Sequence, residues 1–188
     1  MSDDYLTSMR KMYAYYRMLG DKTIAQVSDE ELFWQYHENT NSIGVLVQHI
    51  SGNLLSRFTD LLTSDGEKDW RDRDSEFARR IDTREELIAA WDEGWKCLFA
   101  ATDPLTDDDL EKIVYIRNEG HTVTEALNRS MAHYAYHVGQ IVQIGVMLRG
   151  DEWETLSVAR GQSKARNEAM FSQPKHRANF TEGLLGKE

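Results

Sequence analysis

The segment MAHYAYHVGQI, residues 131–141, sets His133 and His137 four residues apart inside a strongly apolar, helix-like run. Residues at i and i+4 of a helix share one face, with Cβ atoms roughly 5–6 Å apart. Two imidazoles so placed can share one metal ion at about 2.0–2.1 Å each. A third histidine, His49, lies in a second apolar helical stretch, IGVLVQHISGNLLSRF, residues 43–58. A chain that brings these three rings together must lay the two segments side by side. The expectation is an all-α helical bundle with a three-histidine site inside it.

Size and charge bound the rest. A chain of 188 residues fits one domain and can bury a substantial core. Its two prolines, Pro104 and Pro174, leave long tracts free to be helical. A net charge of −10 argues against nucleic acid as the main partner and against an anionic membrane surface. No apolar run has the roughly 18 residues of a membrane span, and no N-terminal stretch resembles a signal peptide, so a soluble cytoplasmic protein is expected. The single cysteine, Cys97, cannot form an internal disulfide; beside Leu98 and Phe99 it reads as a small packing residue.

Taken in order, residues 3–27 read as a first helix, with Met9, Met12, Tyr13, Tyr16 and Leu19 at helical spacing. Ser28 caps a short acidic helix, and residues 38–42 form a polar loop. A second long helix spans about 43–63. Asn53 and Arg57 fall inside its apolar arc with His49 near the edge, an inward polar track in steps of four. Residues 64–82 are highly charged and read mostly as a solvated loop, with Trp70 and Phe77 as anchors against the bundle or over the mouth of the site. Thr83 and Glu86 have capping-box spacing and open a helix to about 101. Pro104 breaks it, and residues 112–123 read as a small β-hairpin turning at Asn118-Glu119-Gly120, with His121 exposed in a loop.

Thr122 and Glu125 open the last long helix, which ends at Arg149 before Gly150. His133 and His137 face its core side. Val142 and Val146 lie opposite, a second apolar strip that suits a homodimer interface. The domain is thus expected over residues 1–150, with 151–188 an irregular C-terminal extension, docked in part through Trp153 and Leu156. Residues 159–179 carry a charge of +4 against −14 for the remainder, so this basic tail can lie across an acidic bundle. There is no internal repeat and no low-complexity tract.

Three imidazoles with no obvious fourth protein ligand are the composition of an open, catalytic-type site, whereas closed structural sites use four. Imidazole suits zinc, nickel, copper and iron, with zinc or nickel foremost as the divalent cofactor. Core histidines held by ordinary hydrogen bonds are the rival reading.

The order of these parts, a histidine within LVQHISGNLLSRF and H-x-x-x-H within MAHYAYHVGQI, resembles the DinB/YfiT-like superfamily, and in particular a branch known only as a domain of unknown function. The resemblance covers about residues 3–150. It implies an up-down four-helix bundle with a long crossover, often dimeric, and metal ligation by His49, His133 and His137. Some characterised members transfer low-molecular-weight thiols, some are metal-dependent hydrolases, and many have no known activity. A metal-dependent hydrolase or thiol transferase acting on a small molecule or thiol is therefore expected. A non-catalytic metal- or ligand-binding stress-response module is the alternative. Wheel position, and not the resemblance, makes Asn53, Arg57 and Gln140 candidates to support the ligands or orient a substrate.

Overall fold

The long helices of this chain begin where a short polar side chain can receive the first free N–H groups. In the computed structural model, which describes residues 4–185, α1 (Tyr5–Gln26) follows Asp4, whose carboxylate accepts from the Thr7 N–H at 2.7 Å. Capping boxes open α2 (Asp29–Leu32) at Ser28 and Glu31, α4 (Arg84–Thr102) at Thr83 and Glu86, and α5 (Val123–Arg149) at Thr122 and Glu125. α3 (Ile43–Phe58) is capped by Ser42. Each box satisfies two donors that no helical carbonyl reaches. With α6 (Ser163–Phe171), six α-helices and one two-stranded antiparallel sheet lie among the described residues. The fold is mostly helical, as expected.

Several boundaries differ from the sequence reading. The first helix was expected from residue 3, which lies outside the described residues. α3 stops at Phe58 and not near 63: Asp60 takes a left-handed φ of 52°, and its carbonyl accepts from the N–H groups of Thr63 and Ser64 at 3.0 Å. The hairpin turn comes earlier than expected. β1 (Ile113–Ile116) pairs with β2 (Glu119–Thr122), so Glu119 and Gly120 are already in the strand and the turn is Arg117-Asn118. Both turn residues have positive φ, 56° and 63°, as a two-residue hairpin loop requires. His121 is a half-buried strand residue and not an exposed loop histidine. The extension is less irregular than expected because α6 forms in it, although α6 buries none of its residues. The extension docks at both ends. Trp153 and Leu156 are half-buried, and Phe180 meets Tyr15 with ring centroids 5.1 Å apart.

α3 packs along α4 and α1 along α5, with further contacts between α3 and α5 and between α1 and α4. All four long helices feed one apolar cluster, in which Tyr13, Trp91, Trp95 and Tyr134 are wholly buried. Gly94 permits the close approach of α4 to α3: a Cβ there would stand 3.0 Å from the Ser51 Cα. Two buried hydroxyls fix the rotation of α5. Tyr13 donates to the Leu127 carbonyl at 2.9 Å, tying α1 to α5. Tyr134 donates to Asn53 Oδ1 at 3.0 Å, tying α5 to α3. The sides of α3 and α5 that carry the histidines therefore face each other.

Val142 and Val146 are half-buried, and Val142 packs on the core. The strip expected to meet a second subunit is partly covered by the chain itself; the exposed large apolar side chains of α5 are Tyr136 and Met147. Cys97 is half-buried, with its sulfur 3.6 Å from Thr59 Oγ1. Among the described residues no helix is long and apolar enough to cross a membrane.

Truncating Leu98, a fully buried member of the core cluster, removes contacts the surroundings cannot replace. Leu98→Ala is expected to lower stability by about 2–5 kcal/mol, read as a shifted urea midpoint at unchanged slope.

Candidate metal centre

α3 supplies His49 and α5 supplies His133 and His137, and one donor atom from each lies within 4.8 Å of the others. His49 Nε2 and His133 Nε2 are 3.2 Å apart. The three rings stand nearly perpendicular to one another, at 88°, 76° and 85°, with centroids 4.7–5.2 Å apart. Two nitrogens bound to one tetrahedral ion at the usual length are separated by roughly 3.3 Å. The His49–His133 pair already has that spacing. The set as a whole spans more, so closing all three on one ion takes a small side-chain adjustment.

The far side of two of these rings decides which nitrogen is offered. His49 Nδ1 lies 2.8 Å from Glu76 Oε2, and His137 Nδ1 lies 2.8 Å from Gln140 Oε1. An acceptor at Nδ1 keeps the proton there and leaves the Nε2 lone pair free, an arrangement that recurs behind metal-binding histidines. Gln140, one turn beyond His137, thus stands against that ring.

Glu76 was not anticipated. Residues 64–82 are mostly loop with many exposed positions, as expected, but one turn of them is built into the site. A 3-10 turn, Asp74–Phe77, lies against α3. Gln48 Nε2 donates to the carbonyls of Ser75, Glu76 and Ala78 at 3.2, 2.8 and 2.9 Å. Arg71 grips Glu76 from the other side, Nε to Oε1 at 2.7 Å and Nη2 to Oε2 at 3.0 Å. Gly52 makes room, since a Cβ there would fall 2.4 Å from Glu76 Oε1. Phe77 lies beside His49, ring centroids 4.7 Å apart, while Trp70 is 60% exposed. The available signal was chemical: a buried imidazole at His49 needs an acceptor for its second nitrogen, and the acidic stretch before Phe77 was the nearest source.

Burial raises the Glu76 pKa, but the hydrogen bonds from His49 and Arg71, with the positive charge behind them, hold it below the ordinary carboxylate value. Burial, followed by the charges of His137, His49, Arg71 and Arg57, lowers the His133 pKa to about 3. Burial also lowers that of His137, against the opposing hydrogen bond to Gln140. His133 and His137 are therefore neutral at physiological pH, the form that ligates.

The other two sequence candidates line a cleft of about 230 Å³ that adjoins His49 and His133. Asn53 enters it while accepting from Tyr134. Arg57 donates to the Gly66 carbonyl and faces Glu67 Oε2 at 3.4 Å. Ser130 and four more arginines, Arg71, Arg73, Arg117 and Arg129, complete the polar lining. His121 stands apart from the three-histidine group, its Nε2 3.4 Å from Arg129 Nη1.

Compared with known families, residues 1–162 match the one described as a protein of unknown function, DUF1572. The chain belongs to the DUF1572 family. The matched span holds all three histidines of this DUF1572 protein together with Glu76, Gln140 and the cleft arginines. No curated protein matches the chain. No solved structure matches it.

Removing the acceptor behind His49 should weaken the centre without deleting a donor. Glu76→Gln is expected to lower metal affinity about 10–100-fold in competition with a chromophoric chelator. The metal-free protein should also be acid-sensitive through His133. Its pKa is lower folded than unfolded, so the unfolded chain takes up a proton below about pH 6.5 that the folded chain refuses until about pH 3. This contribution to stability is complete above pH 6.5 and declines as pH falls through that window. His133→Gln should flatten the decline in urea midpoints relative to the parent.

Proposed function

We propose that this chain is a metal-dependent enzyme of the DinB/YfiT-like kind, its long helices forming an up-down four-helix bundle with a long crossover. His49, His133 and His137 hold one divalent ion, zinc or nickel, and the reaction is hydrolysis or thiol transfer on a small molecule. The observation that carries this reading is a set of three convergent imidazoles, beside a cleft, with no further ligand-type side chain grouped with them among the described residues. Glu76 approaches His49 from the far nitrogen and so supports a ligand without closing the coordination shell. A bound ion with an open position supplies Lewis acidity and lowers the pKa of a water or thiol that joins it.

The chain's own groups have separable tasks. Glu76 and Gln140 fix the tautomer and aim of two ligands. Arg71 keeps Glu76 ionised and immobile. Asn53 ties α3 to α5 at the cleft wall, and Phe77 shields the outer face of His49. Apart from His49 and His133, the lining of the cleft includes neither a carboxylate nor an imidazole. That observation favours a second reading, a non-catalytic metal- or ligand-binding module.

Elemental analysis of protein purified without a histidine tag separates these readings when paired with ester, amide and thiol-conjugation assays. Near-stoichiometric metal with turnover, both lost in His137→Ala, is the expected outcome. Metal without turnover on any panel favours the binding module, and protein without metal overturns the enzyme and the metal-binding form of the module.

A further inference from the structure

The cleft is far more basic than the chain that encloses it. A protein of net charge −10 gathers Arg57, Arg71, Arg73, Arg117 and Arg129 around about 230 Å³. The carboxylates paired with them among the described residues are Glu67 and Glu76. Five guanidinium groups against Glu67, Glu76 and the neighbouring Asp65 leave an excess of positive charge at the wall.

That excess is not confined to flexible surface chains. The Arg71 side chain is 2% exposed, and its Nη1 has no hydrogen-bond partner; Glu67 Oε1 stands 3.9 Å away, beyond hydrogen-bond reach. A buried guanidinium N–H without an acceptor is costly, and it leaves this charge incompletely compensated behind the cleft wall. Arg57 is held in place by Gly66 and Glu67. Arg73, Arg117 and Arg129 are exposed, with Arg73 placed over the Phe77 ring at 5.3 Å. Buried positive charge at the wall with exposed cations toward solvent forms an electrostatic funnel for an anion. The planar fork of arginine suits carboxylate and phosphoryl oxygens in particular.

The geometry points to a small organic oxyanion, a molecule carrying a carboxylate or phosphoryl group, as the substrate class of this site. Arg73 and Arg129 receive the anion, with the charge of the buried Arg71 behind them, which places the rest of the molecule toward His49 and His133. The volume is below the roughly 300–1,000 Å³ of pockets for drug-sized ligands, which limits the occupant to a small metabolite. The inference rests on the reading of the histidine cluster as the reacting centre, but the anion cradle is made of different residues.

The test titrates full-length protein with inorganic phosphate and, separately, with malonate, by calorimetry at low salt. Both untreated and chelator-stripped protein are used. Saturable binding of at least one probe is expected, persisting after the metal is stripped; the tighter probe identifies the phosphoryl or the carboxylate arm. The double variant Arg73→Gln/Arg129→Gln should weaken it about tenfold or more. The charge-matched pair Arg160→Gln/Arg166→Gln, exposed in the C-terminal extension, should leave it unchanged. Absence of saturable binding, an equal loss in both double variants, or binding abolished by stripping the metal would each overturn the proposal. Failure of the metal centre alone leaves the titration of stripped protein intact, so the two failures are distinguishable.

Discussion

A carboxylate with only 8% of its side chain exposed, that of Glu76, holds the centre of this molecule together. A buried charge is expensive, with a penalty of several kcal/mol per ion unless it is paired and hydrogen-bonded. Glu76 meets that condition through Arg71 on one side and His49 on the other. The pairing joins a loop to a helix. It also joins the electrostatics of the cleft to the tautomer of His49, because the same oxygen receives both Arg71 and His49. Gln48 then fixes the backbone that carries Glu76, so a carboxylate 27 residues from His49 in sequence stands behind it in space.

The helical parts of this arrangement were legible. Capping boxes at Thr83–Glu86 and Thr122–Glu125 lie where their spacing placed them, and the i, i+4 histidines face α3. What could not be read was whatever depends on the loop between α3 and α4. Its composition, dense in Asp, Glu, Arg and Lys, signals solvent on average, and pairing of those charges with one another is a tertiary property. Glu76 and Arg71 have no periodicity to betray them. The hairpin was visible in outline, and Asn118 was read as part of its turn, but Gly120 drew the turn toward the second strand and Arg117, which also takes positive φ, was missed.

The contrast between chain and cleft has a physical use. A strongly acidic surface repels anions from most approaches, while a concave basic patch concentrates field lines at one opening. Burial and the neighbouring cations also hold His133 neutral, so the basic wall keeps an imidazole nitrogen free of protons.

The hairpin tip is clasped by the loop opposite. Asp65 accepts from the backbone N–H groups of Arg117 and Asn118 at 2.8 Å, and the Gly66 N–H donates to the Tyr115 carbonyl at 2.8 Å. One wall of the cleft is thereby latched to the other before any guest arrives. Entry then requires little rearrangement of the main chain, and the entropy a floppy rim would forfeit on capture has been surrendered during folding.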